Sequence, residues 1–140
     1  MNRKQFLSSA CALCGLGVVG SLAVLESCKK SSTHTPQGPT VNFTLDISQP
    51  ANTALNSVGG SVATQGVVIA RTGGSTWACV AQACTHQGCN IGYNSNAIRF
   101  DCPCHGATFD TNGNGVNGPS EIPVKKYAVT QNGNILTVKG

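Results

Sequence analysis

Aromatic and charged side chains are both scarce in this sequence of 140 residues, at 5% and 10%. The nine lysines and arginines give a net charge of +4 but form no basic run. Proteins that bind nucleic acid usually cluster positive charge and stack bases on aromatic rings, so the composition argues against that function. Apolar residues nevertheless reach 40%, which is too many for a chain that is disordered throughout. We therefore expect a small core rich in β-branched residues.

No apolar run reaches the ~20 residues with which a helix spans a bilayer. The longest run covers residues 10–25 and follows Arg3 and Lys4. A basic start, a short apolar stretch and small residues beyond it are typical of an export signal. The sequence therefore predicts a signal peptide over residues 1–27, in which Cys11 and Cys14 are interpreted as signal residues rather than a redox pair.

The end of this segment, Leu25-Glu26-Ser27-Cys28, resembles a lipobox. The resemblance implies that Cys28 is diacylated and tethers the mature chain to a membrane on the periplasmic side of the bacterial cell envelope. The opening residues 3–7 also resemble a twin-arginine signal in which the second Arg is replaced by Lys4, which implies export of a folded protein. The alternative is a signal that is retained as an uncleaved membrane helix.

Residues 28–40 are polar, contain Ser, Pro and Gly, and show no apolar periodicity, as in a flexible linker. His34 lies in this stretch and is interpreted as a solvated side chain. The expected organisation is a signal peptide over 1–27, a lipidated cysteine and linker over 28–40, and one folded domain over 41–140.

From Val41 onwards apolar and polar residues alternate, which is the period of a half-buried strand. Asn-Gly pairs such as Asn132-Gly133 separate the later apolar runs and favour hairpins. No long amphipathic helix follows, so we expect an all-β fold, a small antiparallel sandwich or barrel. Trp77 and Cys79 are both interpreted as buried strand residues. Further strands are expected at 67–70, 77–81, 97–100, 124–129 and 135–138.

Cysteine and histidine crowd together between Cys84 and His105. Residues 84–89 read Cys-Thr-His-Gln-Gly-Cys and residues 102–106 read Cys-Pro-Cys-His-Gly. Because a thiolate is a soft ligand suited to iron and an imidazole is a borderline one, the pattern predicts a metal centre with two sulfur and two nitrogen ligands. One alternative is structural zinc, although zinc fingers usually pair Cys with Cys and His with His. A second alternative is a set of structural disulfides, which leaves both histidines unexplained.

These two stretches closely resemble the cluster loops of Rieske iron-sulfur proteins, especially the disulfide-containing kind of cytochrome bc complexes and arsenite oxidase small subunits. The resemblance implies a small antiparallel Rieske-type fold with a cluster-binding subdomain at one tip, and a 2Fe-2S cluster as cofactor. It also implies a disulfide between Cys89 and Cys104. The implied cluster ligands are Cys84 and Cys102 on the inner iron and His86 and His105 on the outer iron.

The insert between the two loops predicts a hairpin, with strands at 91–93 and 97–101 around a turn at 94–96. A hairpin brings its ends together, so the two loops should meet at one tip of the domain. An exported protein also meets an oxidising compartment, in which a disulfide between the loops should form.

Two positions in the second loop depart from high-potential Rieske proteins, which carry a Ser and a Tyr that hydrogen-bond to the cluster where this sequence has Ala107 and Phe109. Neither residue can donate such a bond. Hydrogen bonds to sulfur favour the more negative reduced form, so their loss predicts a lower reduction potential than in quinol-oxidising bc complexes.

Two further positions bear on the surroundings of the cluster. Gln87 stands where bc-complex proteins carry a Leu that packs near quinol, which weakens a quinol-docking role. Gly118-Pro119 resembles the proline loop that covers the cluster, whereas Ser120 and Glu121 depart from the usual residues and predict a wetter cover.

The resemblance implies one-electron transfer in the cell envelope, with His86 and His105 facing a redox partner such as a cytochrome or an oxidoreductase subunit. The alternative is the iron-sulfur subunit of a quinol:cytochrome c reductase or an arsenite oxidase. A third interpretation is a non-redox binding module that keeps the fold. A ferredoxin of an aromatic-ring oxygenase is disfavoured, since those proteins lack the extra cysteine pair. The sequence shows no substrate pocket or nucleophile pair, so enzymatic activity is expected only within a complex.

Overall fold

The structure, a computed structural model, describes residues 35–119 and 122–140. Within these ranges, no helix is both long enough and apolar enough to cross a membrane. Several predictions fall outside the described residues: the signal peptide over 1–27 with Cys11 and Cys14, the lipidated Cys28, the solvated His34, and the departures at Ser120 and Glu121.

The described part of the chain forms short strands in three antiparallel sheets, which confirms the all-β prediction. The sheet orders are β1-β10-β9, β2-β3-β4 and β5-β6-β7-β8. A short 3-10 helix over Pro50–Asn56 follows β1. The strands are β1 (Asn42–Asp46), β2 (Ser61–Thr64), β3 (Val67–Arg71), β4 (Trp77–Ala81), β5 (Gly92–Asn94), β6 (Arg99–Asp101), β7 (Thr108–Phe109), β8 (Gly115–Asn117), β9 (Ala128–Asn132) and β10 (Ile135–Lys139).

The core follows the apolar pattern of the sequence. In the run Val67–Ala70 of β3 every residue is buried, as expected for a strand covered on both faces. Around β1, Val41, Leu45 and Ile47 are buried while their neighbours are not, which confirms the predicted alternation. Leu55 of the 3-10 helix is also fully buried.

The two residues singled out on β4 differ in depth. Cys79 is fully buried, and burial raises the pKa of its thiol to about 12, so it acts as a small apolar core residue as predicted. Trp77 is only partly buried at the edge of the core. Its indole N–H donates to the Gln131 side chain at 3.2 Å, and the Arg71 guanidinium lies 5.3 Å from its ring. The predicted core position of Trp77 is therefore corrected, because its polar N–H and its charged neighbour keep the ring near solvent.

The insert between the Cys/His loops is a hairpin of β5 and β6, as predicted. Its turn spans residues 95–98, which begins one residue later and ends two residues later than predicted. The Asn94 side-chain oxygen accepts hydrogen bonds from the backbone N–H groups of Asn96 and Ala97 and so shapes this turn. The second strand begins accordingly at Arg99 rather than at Ala97.

Residues 124–127, predicted as the start of a strand, belong instead to the edge of β4. Ala81 donates its backbone N–H to the Lys125 carbonyl at 2.9 Å, and Tyr127 donates to the Cys79 carbonyl at 2.9 Å. The strand β9 begins only at Ala128. The segment thus adds an irregular fourth row to the β2-β3-β4 sheet.

The end of the stretch predicted as linker is held against this row. Gln37 forms a parallel bridge with Val124, and the Tyr127 hydroxyl donates to the Pro39 carbonyl at 2.6 Å. Ordered backbone therefore begins before Val41.

Candidate metal centre

The first Cys/His loop continues from β4 and is closed by two backbone hydrogen bonds. Cys84 donates its N–H to the Cys89 carbonyl at 2.8 Å, and Gly88 donates to the Cys84 carbonyl at 2.7 Å. A bridge between Ala83 and Asn90 closes the base of the loop. The loop therefore starts and ends at one point of the sheet.

The second loop, between β6 and β7, has the same pattern of bonds. Cys102 donates its N–H to the Ala107 carbonyl at 2.7 Å, and Gly106 donates to the Cys102 carbonyl at 3.2 Å. In both loops the cysteine is bonded to the residues four and five positions further on. The two loops are thus local copies of one turn, and each begins with a predicted cysteine ligand.

The glycine that lies four residues after each of these cysteines allows the backbone to form the turn. Gly88 has φ 73° and Gly106 has φ 74°, in the left-handed region that side chains other than glycine disfavour. A Cβ on either glycine would meet no atom within 4 Å. Glycine is therefore required for backbone conformation and not for space.

The two loops meet through a disulfide and a pair of rings. Cys89 and Cys104 form a disulfide with a Cα–Cα distance of 6.4 Å, as the resemblance implied. The rings of His86 and His105 lie edge to face with centroids 4.7 Å apart, and both residues are exposed. The structure thus brings the predicted histidine ligands from the two loops to one surface.

The two predicted cysteine ligands lie inside this tip. Cys84 and Cys102 are each 3% exposed and neither forms a disulfide. Burial raises the pKa of the Cys84 thiol, the His86 backbone N–H opposes that rise, and the neighbouring Cys102 thiol adds to it. A cation bound between the thiols would reverse this effect and hold them as thiolates.

A second set of sulfur atoms is close but offers different chemistry. The sulfurs of Cys89, Cys102 and Cys104 lie within 4.8 Å of one another. Because Cys89 and Cys104 share a disulfide, neither carries the thiolate that a metal needs. Only Cys102 of this group remains as a sulfur ligand.

Gly118 of the predicted covering loop and Ile122, shortly after it, both contact the Cys/His loops. A Cβ on Gly118 would lie 2.6 Å from the Ala107 Cα, so this glycine packs directly on the second loop. The Thr85 hydroxyl, between two predicted ligands of the first loop, donates to the Ile122 carbonyl at 2.6 Å. Sequence reasoning missed this role of Thr85, for which its hydroxyl beside Cys84 was the one available signal.

Ala107 and Phe109 are both fully buried beside the second loop. Thr108 lies between them, and its buried hydroxyl finds no hydrogen-bond partner within the described part of the chain. The ladder of β7 and β8 shifts register between Thr108 and Phe109. Neither Ala107 nor Phe109 carries a hydroxyl that could donate a hydrogen bond to a group bound beside the second loop.

The chain resembles known proteins over the region that carries these loops. The family model of the Rieske [2Fe-2S] domain matches residues 45–128. Over 63 residues the chain is 40% identical to the cytochrome b6-f complex iron-sulfur subunit of Chlorobaculum tepidum, a match that covers 45% of this chain and 34% of that protein. The chain spans about a third of the length of such curated relatives.

Solved structures of other proteins also match this chain. The cyanobacterial plasma membrane Rieske protein of Synechocystis matches with a TM-score of 0.55 at 30% identity, over 72% of this chain and 100% of that chain. The ferredoxin of carbazole 1,9a-dioxygenase from Nocardioides aromaticivorans matches with a TM-score of 0.52 at 20% identity, over 71% of this chain and 96% of that chain, which shows a shared fold.

The backbone requirement at Gly88 can be tested by substitution. We expect Gly88→Ala to lower the free energy of unfolding by about 1–2 kcal/mol, the usual cost of left-handed backbone with a Cβ, and Gly88→Asn to cost less, because Asn tolerates that region. Chemical denaturation followed by circular dichroism measures both. The control is Gly92→Ala, since Gly92 has open space around it but no left-handed backbone. Equal losses at Gly88 and Gly92 would refute the backbone argument.

Proposed function

Since this chain belongs to the Rieske [2Fe-2S] domain family, we propose that it transfers single electrons through a 2Fe-2S cluster held by Cys84, Cys102, His86 and His105. Such a centre takes up one electron at a potential in the range of roughly −150 to +300 mV. The observation that carries the proposal is the meeting of the two Cys/His loops at one tip.

The thiols and imidazoles at the tip fit a 2Fe-2S cluster. Two free thiols lie inside the tip, and two imidazole rings 4.7 Å apart lie at its surface. This division suits sulfur ligation of an inner iron and nitrogen ligation of an outer iron. Neither thiol is taken by the Cys89–Cys104 disulfide, which instead keeps the loops together.

The exposed rings define how the chain meets its partner. His86 and His105 present the aromatic side chains of the two loops to solvent, so we assign to them the contact through which an electron passes. An exposed imidazole can also exchange a proton with water, which allows electron transfer to be coupled to proton transfer. The partner is a redox protein, for which a cytochrome or an oxidoreductase subunit fits.

A second candidate is the iron-sulfur subunit of a quinol-oxidising complex. The identity with cytochrome b6-f iron-sulfur subunits favours it. The polar Gln87, which is exposed between His86 and Gly88, offers quinol no apolar contact at this tip. Copurification with a cytochrome b subunit distinguishes this candidate, and copurification with a molybdenum subunit indicates arsenite oxidase.

We further propose that the chain is an exported lipoprotein of the cell envelope, with the signal over 1–27 removed and Cys28 diacylated. The sequence of residues 3–28 supports this, and the plasma membrane Rieske protein of Synechocystis is consistent with a membrane-attached location.

Metal content tests the centre directly. We expect purified protein to contain iron and acid-labile sulfide in equal amounts, two of each per chain, as a 2Fe-2S centre requires. His86→Ala and His105→Ala should each change the visible absorption spectrum, because each removes a nitrogen ligand. The control is His34→Ala in the predicted linker, which should leave the spectrum unchanged. A colourless protein loaded with zinc would overturn the proposal.

The reduction potential tests the surroundings of the second loop. Ala107→Ser combined with Phe109→Tyr should raise the potential by on the order of 100 mV, because each new hydrogen bond contributes about 1–3 kcal/mol at most and ~1.4 kcal/mol corresponds to 59 mV for one electron. Voltammetry measures the change. Thr108→Val adds no hydrogen-bond donor and should therefore give no rise in the potential. No rise in the double variant would reject the argument.

The mature amino terminus tests the anchor. Mass spectrometry of protein from membranes should find a chain that begins at Cys28 and carries a lipid. Cys28→Ala should abolish lipidation, whereas Cys14→Ala in the signal should not. An intact Met1 would contradict a cleaved lipoprotein and support the uncleaved helix.

A further inference from the structure

Residues Gln37–Pro39, which we call the strap, run along the outer edge of the segment 123–127. Gln37 donates its N–H to the Pro123 carbonyl at 3.2 Å, and its own carbonyl accepts the Lys125 N–H at 2.9 Å. On its other side Lys125 accepts a hydrogen bond from Ala81 of β4. The segment 123–127 is therefore held between β4 and the strap, like a central strand.

The strap is seated tightly. A Cβ on Gly38 would lie 2.5 Å from the Tyr127 hydroxyl oxygen, 2.7 Å from the Ala81 Cβ and 2.8 Å from the Lys125 Cβ. The Tyr127 hydroxyl donates to the Pro39 carbonyl at 2.6 Å. Only glycine fits at position 38 without displacing the strap, and Tyr127 fixes its far end.

The supported segment leads directly back to the tip. Pro123, which bonds to the strap, follows Ile122, whose carbonyl accepts the Thr85 hydroxyl at 2.6 Å. Thr85 lies between the proposed ligands Cys84 and His86. The strap is thus connected to the first loop by one hydrogen bond to Pro123 and one hydrogen bond from Thr85 to the adjacent residue, Ile122.

A turn also supports the segment from another direction. Val124 donates its N–H to the Gly113 carbonyl at 2.9 Å, and the Lys126 ammonium group donates to the Asn112 side-chain oxygen at 2.6 Å. These contacts hold residues 124 and 126, whereas the strap bonds to 123 and 125. Pro123, the residue next to Ile122, bonds to the strap.

We propose that the strap is a positioning element of the metal centre, which keeps the Ile122 carbonyl in place for Thr85 and so holds Ile122 against the first loop. The inference rests on the proposed centre. Loss of the strap would admit water to the half-buried Thr85 and to the buried Cys84 beside it. Water stabilises the reduced form of the cluster, which is more negative than the oxidised form, so the reduction potential of the cluster would then rise.

The experiment uses the full chain with Gly38→Ala, which removes the space for the strap, and Tyr127→Phe, which removes one of its hydrogen bonds. The control is Gly74→Ala, since a Cβ there would meet nothing within 4 Å. We expect the Lys125 amide to exchange hydrogen about tenfold faster in both variants, as the loss of one net hydrogen bond allows. The amide of Gly88 in the first loop should also exchange faster, and the reduction potential should rise. The control should change none of these.

Thr85 provides the second arm. Thr85→Val removes the hydroxyl that reaches Ile122, whereas Thr85→Ser retains it. We expect Thr85→Val to raise the reduction potential and to speed amide exchange at Gly88, while exchange at Lys125 stays unchanged. Thr85→Ser should keep the potential and the Gly88 exchange rate of the unmodified protein. This pattern separates a positioning role from a general loss of stability, which would speed exchange at all of these amides.

The outcomes divide clearly. Faster exchange at Lys125 with no change at Gly88 or in the potential would overturn the proposal, because the turn at Asn112 and Gly113 would then suffice. Unchanged exchange at Lys125 in both strap variants would also overturn it. If Gly38→Ala does not fold, Tyr127→Phe carries the test. Absence of iron from the unmodified protein would instead reject the proposed centre, and the exchange of Lys125 would still report on the strap.

Discussion

The main-chain carbonyls of Cys84 and Cys102 determine the geometry of the tip, because each accepts the N–H of a glycine four residues further on. These bonds turn each loop back on itself, so that the cysteine lies inside and the histidine reaches the surface. The disulfide then joins two turns that are already closed. The sheet of β5 to β8 supplies the hairpin that brings the turns together.

Local patterns in the sequence predicted the features that depend on neighbouring residues. The alternation around β1 gave a strand, the run at 67–70 gave a buried strand, and the spacing of the insert gave a hairpin. The pairing of Cys89 with Cys104 came from the resemblance. Contacts between distant residues could not be predicted in this way. Gln37–Pro39 reads as linker because its partners, Pro123, Lys125 and Tyr127, lie more than eighty positions away.

Predictions from the sequence were also wrong at the edges of strands. The segment 124–127 has strand-like residues, yet it pairs with β4 only by an isolated bridge between Val80 and Lys126 and so does not form a regular strand. Trp77 is apolar enough for the core, but its N–H needs a partner and finds Gln131 at the edge. In both cases a polar backbone or side-chain group decided the position, which an apolar pattern does not record.

The Cys102 sulfur lies close to both members of the disulfide, so a free thiol stands next to an S–S bond. A thiolate attacks a nearby disulfide readily, so an unmetallated tip exposed to an oxidant can exchange partners and trap Cys102 in a mispaired form. A metal held by Cys102, as proposed above, would withdraw that thiolate from exchange and leave Cys89 and Cys104 as the remaining pair. In the proposed centre the metal would therefore also protect the pairing of Cys89 with Cys104.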